Sequence, residues 1–174
     1  MTERKISGKT IFKGHVFTVE VDMADCGGRV AEREIVRHPG GVAILAVDGQ
    51  NRVIMVRQYR YAAGKELLEL PAGRLEPGED PIGAGRRELS EETGYTAEKI
   101  ELFGRLIPTG GYCSEVIHVC LATGLTEGQP HPDEGKYVTA EPVPMDDALR
   151  MVLSGEIEDG KTAYAIMKYA LGHI

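Results

Sequence analysis

The sequence predicts a mixed fold of strands and helices, an α+β or α/β/α sandwich around a mixed β-sheet. The first observation is that short runs rich in β-branched and aromatic residues recur along the chain, with one capped helix pattern between them. The second is that two further helix patterns close the chain after the last of these runs. With 174 residues, of which 42% are hydrophobic, the chain has the length of one domain and enough apolar side chains for a buried core.

The N-terminal part of the chain is predicted to form antiparallel strands. Residues 8–37 are rich in strand formers, and Cys26-Gly27-Gly28 marks the turn between two strands. Such a segment is too small to enclose a core of its own. We therefore expect an N-terminal β extension at residues 1–40, which lies on the rest of the fold or on a partner chain, and a main domain at residues 41–174.

The main domain contains six further strand patterns, each ended by turn or loop residues. They cover residues 42–47, 52–59, 67–70, 100–107, 116–122 and 137–143. Polar loops are expected at residues 109–115 and 126–136, and helices at residues 145–153 and 161–171. Apolar residues recur on one face of the last helix, at Ala163, Ile166, Met167, Ala170 and Leu171. This stripe predicts that Met167 belongs to the core.

The central helix carries the pattern with the strongest chemical meaning. Asp80-Pro81 is a good helix start and Gly94 a good helix stop. Between them, Glu88, Glu91 and Glu92 have i, i+3 and i+4 spacing, so their side chains share one face. Three like charges repel one another, and the negative end of the helix dipole disfavours anions in the last turn. A hard divalent cation, Mg²⁺ or Mn²⁺, would make this arrangement favourable.

The alternative interpretation is that these glutamates form an ordinary solvated face. The surrounding pattern argues against it: Gly73, Glu79, Arg87-Glu88-Leu89, Glu91-Glu92, Gly94 and Tyr95 follow one another at fixed spacing. This pattern resembles the Nudix box, which is specific because so many identities are fixed. Tyr95 departs from it, since a smaller aliphatic residue is usual there, but the position serves packing. The resemblance implies the α/β/α sandwich of the Nudix fold.

Composition limits the partners and the location. A net charge of −7 makes nucleic acid and anionic membranes poor non-specific partners. The three cysteines form no C-x-x-C pair and their number is odd, which is typical of a reducing compartment. The sequence shows neither a signal peptide nor an apolar run of about 18 residues. We therefore expect a soluble, cytoplasmic protein.

Motifs outside the box resemble the ADP-ribose pyrophosphatase branch of the family. They are Arg57-Gln58-Tyr59-Arg60, Glu69-Leu70-Pro71-Ala72-Gly73, Tyr112-Cys113-Ser114-Glu115 and residues 155–162. The resemblance implies hydrolysis of ADP-ribose to AMP and ribose 5-phosphate, with Mg²⁺ as cofactor and Mn²⁺ able to replace it. It also implies a homodimer whose N-terminal strands complete the partner's site. Thr109-Gly110 and Gly135-Lys136 depart from the pattern of the branch. The second departure leaves open which loop carboxylate is the catalytic one.

The resemblance suggests roles for individual residues. The candidate metal ligands are oxygen donors: the Ala72 carbonyl and the carboxylates of Glu88, Glu91 and Glu92. Glu134 is the candidate base. Arg87, four residues before Glu91, is expected to orient the carboxylates rather than to touch substrate. Glu79 is expected to hold the loop before the helix or to act as an acid.

Candidate substrate-binding residues come from three segments. Arg57 and Arg60 offer guanidinium donors to a diphosphate, and Tyr59, or Tyr61 beside it, offers a ring to a base. An exposed strand end without function explains the same pattern equally well when it is taken alone. Glu115 is a candidate acceptor for a ribose hydroxyl. Three residues of the N-terminal extension are candidates across the dimer interface: Arg33, Arg37 and Phe17.

Two alternatives remain open at the level of sequence. The first is another nucleoside diphosphate sugar as substrate, such as GDP-mannose, because base and sugar contacts depend on loop geometry. The second is a domain that senses a nucleotide without hydrolysing it. Sensing relatives often lose a metal-binding glutamate, and this chain keeps Glu88, Glu91 and Glu92, so we favour an enzyme.

Overall fold

The computed structural model describes residues 2–131 and 137–172. Its first compact unit contains Met1–Gly40 and Ile107–Val116. The unit has one antiparallel sheet, in the order β1 (Arg4–Lys13), β2 (Thr18–Asp25) and β3 (Val30–Arg37). The predicted turn between β2 and β3 is present, and every residue of β1 is exposed. Nothing in the sequence indicated that residues 107–116 belong to this unit.

The second unit, Gly41–Leu106 with Ile117–Ile174, has two sheets and three helices within the part that the structure describes. Its strands are β4 (Gly41–Ala46), β5 (Arg52–Arg60), β6 (Lys65–Glu69), β7 (Ala72–Arg74), β8 (Thr96–Leu106), β9 (Ile117–Thr126) and β10 (Val138–Pro144). Its helices are α1 (Pro81–Thr93), α2 (Met145–Ser154) and α3 (Gly160–Gly172). One sheet has the order β10-β5-β6, and the other has the order β7-β4-β9-β8 with β4 and β9 parallel.

The core of this unit lies on both faces of β4. Successive side chains of a strand point to opposite faces, and β4 is fully buried. Ile44 therefore packs in a cluster with Leu89 of α1, while Leu45 packs in a second cluster with Met145 of α2 and Ile166 of α3. Helices thus cover both faces of a mixed sheet, and the predicted α/β/α sandwich is confirmed. None of the described helices combines the length and apolarity needed to cross a membrane.

Helix α3 is rotated relative to the sequence prediction. The predicted core position Met167 is 38% exposed, so that prediction was wrong. The helix instead buries Thr162, Ala165 and Ile166. The cause is polar: the backbone N–H of Leu70 donates to the Thr162 hydroxyl at 2.9 Å. This bond fixes a polar residue on the buried face, which an apolar periodicity cannot reveal.

Candidate active site

Helix α1 begins and ends where the sequence predicted. The Asp80 carboxylate accepts hydrogen bonds from the N–H groups of Ile82 and Gly83 at 3.0 Å, which satisfies two free donors of the first turn. At the other end, Gly94 has φ +76° and its N–H donates to the Ser90 carbonyl. The two caps fix the rotational phase of the helix and therefore the direction in which its glutamates point.

Two of the three glutamates are buried. Glu88 is 4% exposed and Glu92 is 2% exposed, whereas Glu91 is half-buried. A buried carboxylate costs free energy unless a cation or hydrogen-bond donors surround it. Here hydrogen-bond donors come from Arg87 and from the backbone N–H of Ala72.

Arg87 bonds to three carboxylates with one guanidinium. It donates to Glu79 through Nε and Nη2, both at 3.0 Å, and through Nη1 to Glu88 at 2.8 Å and to Glu91 at 3.2 Å. The Glu79 hydrogen bond is the largest cause that raises the pKa of Arg87, and Arg87 in turn lowers the pKa of Glu79. Glu79 also accepts from the Glu76 N–H. We call Glu79, Arg87, Glu88, Glu91 and Glu92 the carboxylate cluster.

The backbone of β7 lies against the buried carboxylates. The Ala72 N–H donates to Glu92 Oε2 at 3.0 Å. At Gly73, an added Cβ would stand 1.8 Å from Glu88 Oε1, so the Glu88 carboxylate fills the space that a side chain would need. Only glycine fits there without displacing Glu88.

The oxygen atoms in and beside the carboxylate cluster are the kind of ligand that a hard divalent cation requires. Glu88, Glu91, Glu92 and the Ala72 carbonyl offer oxygen atoms alone, and the close approach of Glu88 to Gly73 brings the helix and β7 together. Within residues 2–131 and 137–172, no three His, Cys, Asp or Glu side chains already form a metal-ligand group. Hydrogen bonds hold all three carboxylates in place: Arg87 holds Glu88 and Glu91, and the Ala72 N–H holds Glu92.

A second set of charges lies at the end of β6. Glu69 is 1% exposed and accepts two hydrogen bonds from Arg60, Nε to Oε1 and Nη2 to Oε2, each at 2.6 Å. Lys161 also donates to Glu69, and it donates to Asp159 at 2.9 Å. Asp159 accepts from the backbone N–H and the hydroxyl of Thr162. We call Arg60, Glu69, Asp159, Lys161 and Thr162 the Glu69 cluster.

The pKa shifts follow from these contacts. Burial acts to raise the pKa of Glu69, but the hydrogen bonds and charges of Arg60 and Lys161 outweigh it and lower that pKa. The Glu69 hydrogen bond is the largest cause that raises the pKa of Arg60, and the charges of Asp159 and Glu92 add to it. Arg60 therefore interacts electrostatically with both the Glu69 cluster and the carboxylate cluster.

The other candidate residues of the second unit are more open. Arg57 pairs with Glu141 at 2.8 Å, while Tyr59 is 60% exposed and Tyr61 is also exposed. Tyr59 lies near the end of β5 and Tyr61 directly after it, and a ligand can reach both rings. Glu134, the candidate base, lies outside the described residues.

The first unit holds the remaining candidates. Arg33 pairs with Glu3 at 2.7 Å, and Arg37 pairs with Glu20 and Asp22. Glu115 lies 3.5 Å from His38 Nδ1, and Phe17 is exposed. Within this unit Arg33 and Glu115 therefore already have partners of their own.

The sequence motifs that resemble the branch include Glu69 and residues 155–162, but they gave no role to Glu69, Asp159, Lys161 or Thr162 and did not predict that these residues contact one another. Asp159, Lys161 and Thr162 lie some 90 positions from Glu69 along the chain, so no local spacing relates them. One signal was present: Glu69 is the only charged residue of the leucine-rich segment 67–70. A charge at such a position needs partners from elsewhere in the fold.

Comparison with known proteins agrees with this geometry. A family model described as the NUDIX domain matches residues 37–164. An ADP-ribose pyrophosphatase of Bacillus subtilis (strain 168) is 41% identical over 95% of this chain and 91% of its own length. A methanol dehydrogenase activator of Bacillus methanolicus is 40% identical over 94% of this chain and 90% of its own length.

A solved structure shares the fold of this chain. It is described as an ADP compounds hydrolase, and it matches with a TM-score of 0.84 over 98% of this chain and 93% of that one. The sequence identity is 20%, so this likeness carries information about the fold alone.

Proposed function

Because the chain belongs to the Nudix family and is a Nudix pyrophosphohydrolase, we propose that it hydrolyses ADP-ribose to AMP and ribose 5-phosphate with Mg²⁺, which Mn²⁺ can replace. The observation that carries the proposal is the carboxylate cluster. Two buried glutamates lie against the β7 backbone: Glu88 fills the space of the missing side chain at Gly73, and Glu92 accepts a hydrogen bond from the Ala72 N–H. An acidic protein that binds a diphosphate needs cations at such a place.

The residues that would hold the metal are Glu88, Glu91, Glu92 and the Ala72 carbonyl. A bound divalent cation neutralises the diphosphate and lowers the pKa of water. Arg87 keeps Glu88 and Glu91 in fixed positions through its two Nη1 hydrogen bonds. It thereby reduces the entropy lost when these carboxylates bind a ligand.

Hydrolysis joins the oxygen of water to one phosphorus and breaks the bond from that phosphorus to the bridging oxygen, which leaves on the other phosphate. A base must take the proton of the water. Glu91 is a candidate, since it is half-buried and shares a helix face with Glu88 and Glu92. Glu134 remains the other candidate base.

Arginines and aromatic rings are proposed to bind the rest of the substrate. Arg60 and Arg57 supply donors to the diphosphate, and Tyr59 stacks on the base. The exposure of the Tyr59 ring supports this role. Glu115 accepts from a ribose hydroxyl, and Arg33 adds a donor from the N-terminal strands of the partner subunit.

We also propose that residues 1–40 form a dimerising extension and that the enzyme acts in the cytoplasm as a homodimer. Ile6, Ile11, Phe12 and Val30 of the first unit are each more than half exposed. Large apolar side chains on a three-stranded sheet favour a partner surface. Light scattering should report about twice 18.9 kDa, and a fully active monomer would contradict the dimer.

A second candidate function comes from the relative named a methanol dehydrogenase activator. By that analogy the domain regulates another enzyme. The retention of Glu88, Glu91 and Glu92 favours hydrolysis as the primary activity. GDP-mannose remains an alternative substrate of the same site.

The deciding experiment measures kcat/KM for ADP-ribose, GDP-mannose and ATP in one buffer with Mg²⁺, with products separated by HPLC. We expect ADP-ribose to be preferred and to give AMP and ribose 5-phosphate. ATP should be poor, because its extra phosphate adds negative charge beside the carboxylates. Preference for GDP-mannose would overturn the substrate and keep the reaction, whereas no hydrolysis of any of them would favour a regulatory domain.

A further inference from the structure

Glu69 is a buried charge that the proposed chemistry leaves without a role. Its carboxylate is 1% exposed and is held by Arg60 and Lys161. Burying an ion pair seldom stabilises a fold more than apolar side chains of the same volume would. A buried carboxylate with two cations therefore calls for an explanation beyond stability.

The hydrogen bonds of Arg60 give the first part of that explanation. Its Nε and Nη2 bond to the two oxygens of Glu69 in the planar fork that an arginine and a carboxylate form. These bonds use two of the five N–H donors of the guanidinium and fix its plane. The remaining two-donor edge of the same plane, formed by Nη1 and the second N–H of Nη2, has the geometry that suits a phosphate.

The chain connects Glu69 to the carboxylate cluster over three residues. Glu69 ends β6, Ala72 begins β7, and the Ala72 N–H donates to Glu92. The Leu70 N–H between them is held by Thr162 of α3. The short segment that fixes Glu92 at one end therefore fixes Arg60, through Glu69, at the other.

We infer that Glu69 is a positioning residue, which holds the Arg60 guanidinium in the orientation that binds the diphosphate of a nucleotide substrate. The inference rests on the proposed function, because it presupposes a diphosphate at the carboxylate cluster. It differs from a structural role in one respect: the effect of Glu69 on the ligand passes through Arg60.

A double-mutant cycle measures this coupling. Isothermal titration calorimetry gives the Kd of α,β-methylene ADP-ribose with Mg²⁺ for the wild type, Arg60→Ala, Glu69→Gln and the double variant. We expect losses of about 30-fold for Arg60→Ala and about 10-fold for Glu69→Gln, from the size of charged hydrogen bonds. If Glu69 acts through Arg60, the double variant loses about 30-fold and not about 300-fold.

Matched controls separate positioning from stability. Glu158→Gln makes the same chemical change in the exposed Lys65–Glu158 pair and should leave Kd unchanged. Glu69→Asp keeps the charge with a shorter reach and should recover part of the affinity. If Glu69→Gln fails to fold, the cycle is run in a Lys161→Met background, where the net charge of the Glu69 cluster in Glu69→Gln equals that of the wild type.

Each outcome has a defined meaning. Additive losses would overturn the inference, as would an unchanged Kd in a folded Glu69→Gln protein with a lowered unfolding midpoint. A wild type that does not bind the analogue would overturn it too. A wild type that binds the analogue but does not cleave ADP-ribose would overturn the proposed function alone, and the cycle in Kd would still decide the role of Glu69.

Discussion

The carboxylate cluster and the Glu69 cluster balance charge in opposite ways. In the first, three carboxylates share the guanidinium of Arg87 and a fourth, Glu92, bonds to a backbone N–H. In the second, Glu69 and Asp159 meet Arg60 and Lys161, so acids and bases are equal in number. A site with surplus negative charge attracts cations from solution, whereas a balanced one acts as a rigid part of the fold.

Removing divalent metal should have the largest effect. If the surplus charge of the carboxylate cluster serves to bind a cation, dialysis against EDTA abolishes turnover and added Mg²⁺ or Mn²⁺ restores it. The assay is product formation from ADP-ribose before and after addition of metal. Full activity in EDTA would show that the surplus charge of the carboxylate cluster does not serve to bind a catalytic metal ion.

Glu92→Gln should lower kcat by about 10²–10⁴ while KM changes little, because a weakened metal site raises the transition state more than it weakens base and sugar contacts. Steady-state kinetics at saturating Mg²⁺ measures both constants. Glu101→Gln, an exposed glutamate that pairs with Lys99, is the matched control and should match the wild type. A kcat near that of the wild type would exclude Glu92 as a principal ligand.

Gly73→Ala should separate activity from stability. The new Cβ would lie 1.8 Å from the Glu88 carboxylate, and the end of a glutamate can move aside more readily than backbone can. We expect kcat to fall by about 10-fold to 100-fold with a small change in Tm. Gly49→Ala, where nothing lies within 4 Å of the added Cβ, serves as the control. Wild-type activity in Gly73→Ala would show that Glu88 does not need its place beside β7.

The smallest effect concerns the free energy of unfolding, and it contrasts Glu69 with Glu79. Glu69→Gln should cost about 3 kcal/mol at pH 7, because it breaks a buried ion pair, and Glu79→Gln about 1 kcal/mol, because that pair is partly exposed. Urea unfolding measures both. Equal losses of unfolding free energy in Glu79→Gln and Glu69→Gln would show that the two clusters do not differ in how much they stabilise the fold.

The pH dependence has a definite sign. Folding lowers the pKa of Glu69 below its ordinary 4.5, so the stabilisation is complete above that pH and is lost as the pH falls through the folded-state pKa. The gap in stability between wild type and Glu69→Gln should therefore narrow below about pH 4. A gap that stays constant from pH 7 to pH 3 would contradict the lowered pKa.

The two clusters also differ in how far the sequence could predict them. Glu88, Glu91 and Glu92 lie within five residues of one helix, and local signals at Asp80 and Gly94 fix its ends. The Glu69 cluster assembles residues from β5, β6 and α3, so only the tertiary fold brings them together. The wrong orientation predicted for α3 has the same origin, since the bond between Leu70 and Thr162 is also long-range.

The capped start of α1 makes the length of this segment as important as its composition. An α-helix turns 100° and rises 1.5 Å per residue. With Asp80 fixed as the cap, deleting one residue between Pro81 and Arg87 would rotate every later side chain by that angle and carry Glu88 away from Gly73. The seven positions between Asp80 and Glu88 therefore set the direction of the Glu88 side chain by their number. Substitutions of outward-facing residues among them should be tolerated, whereas insertions or deletions should not.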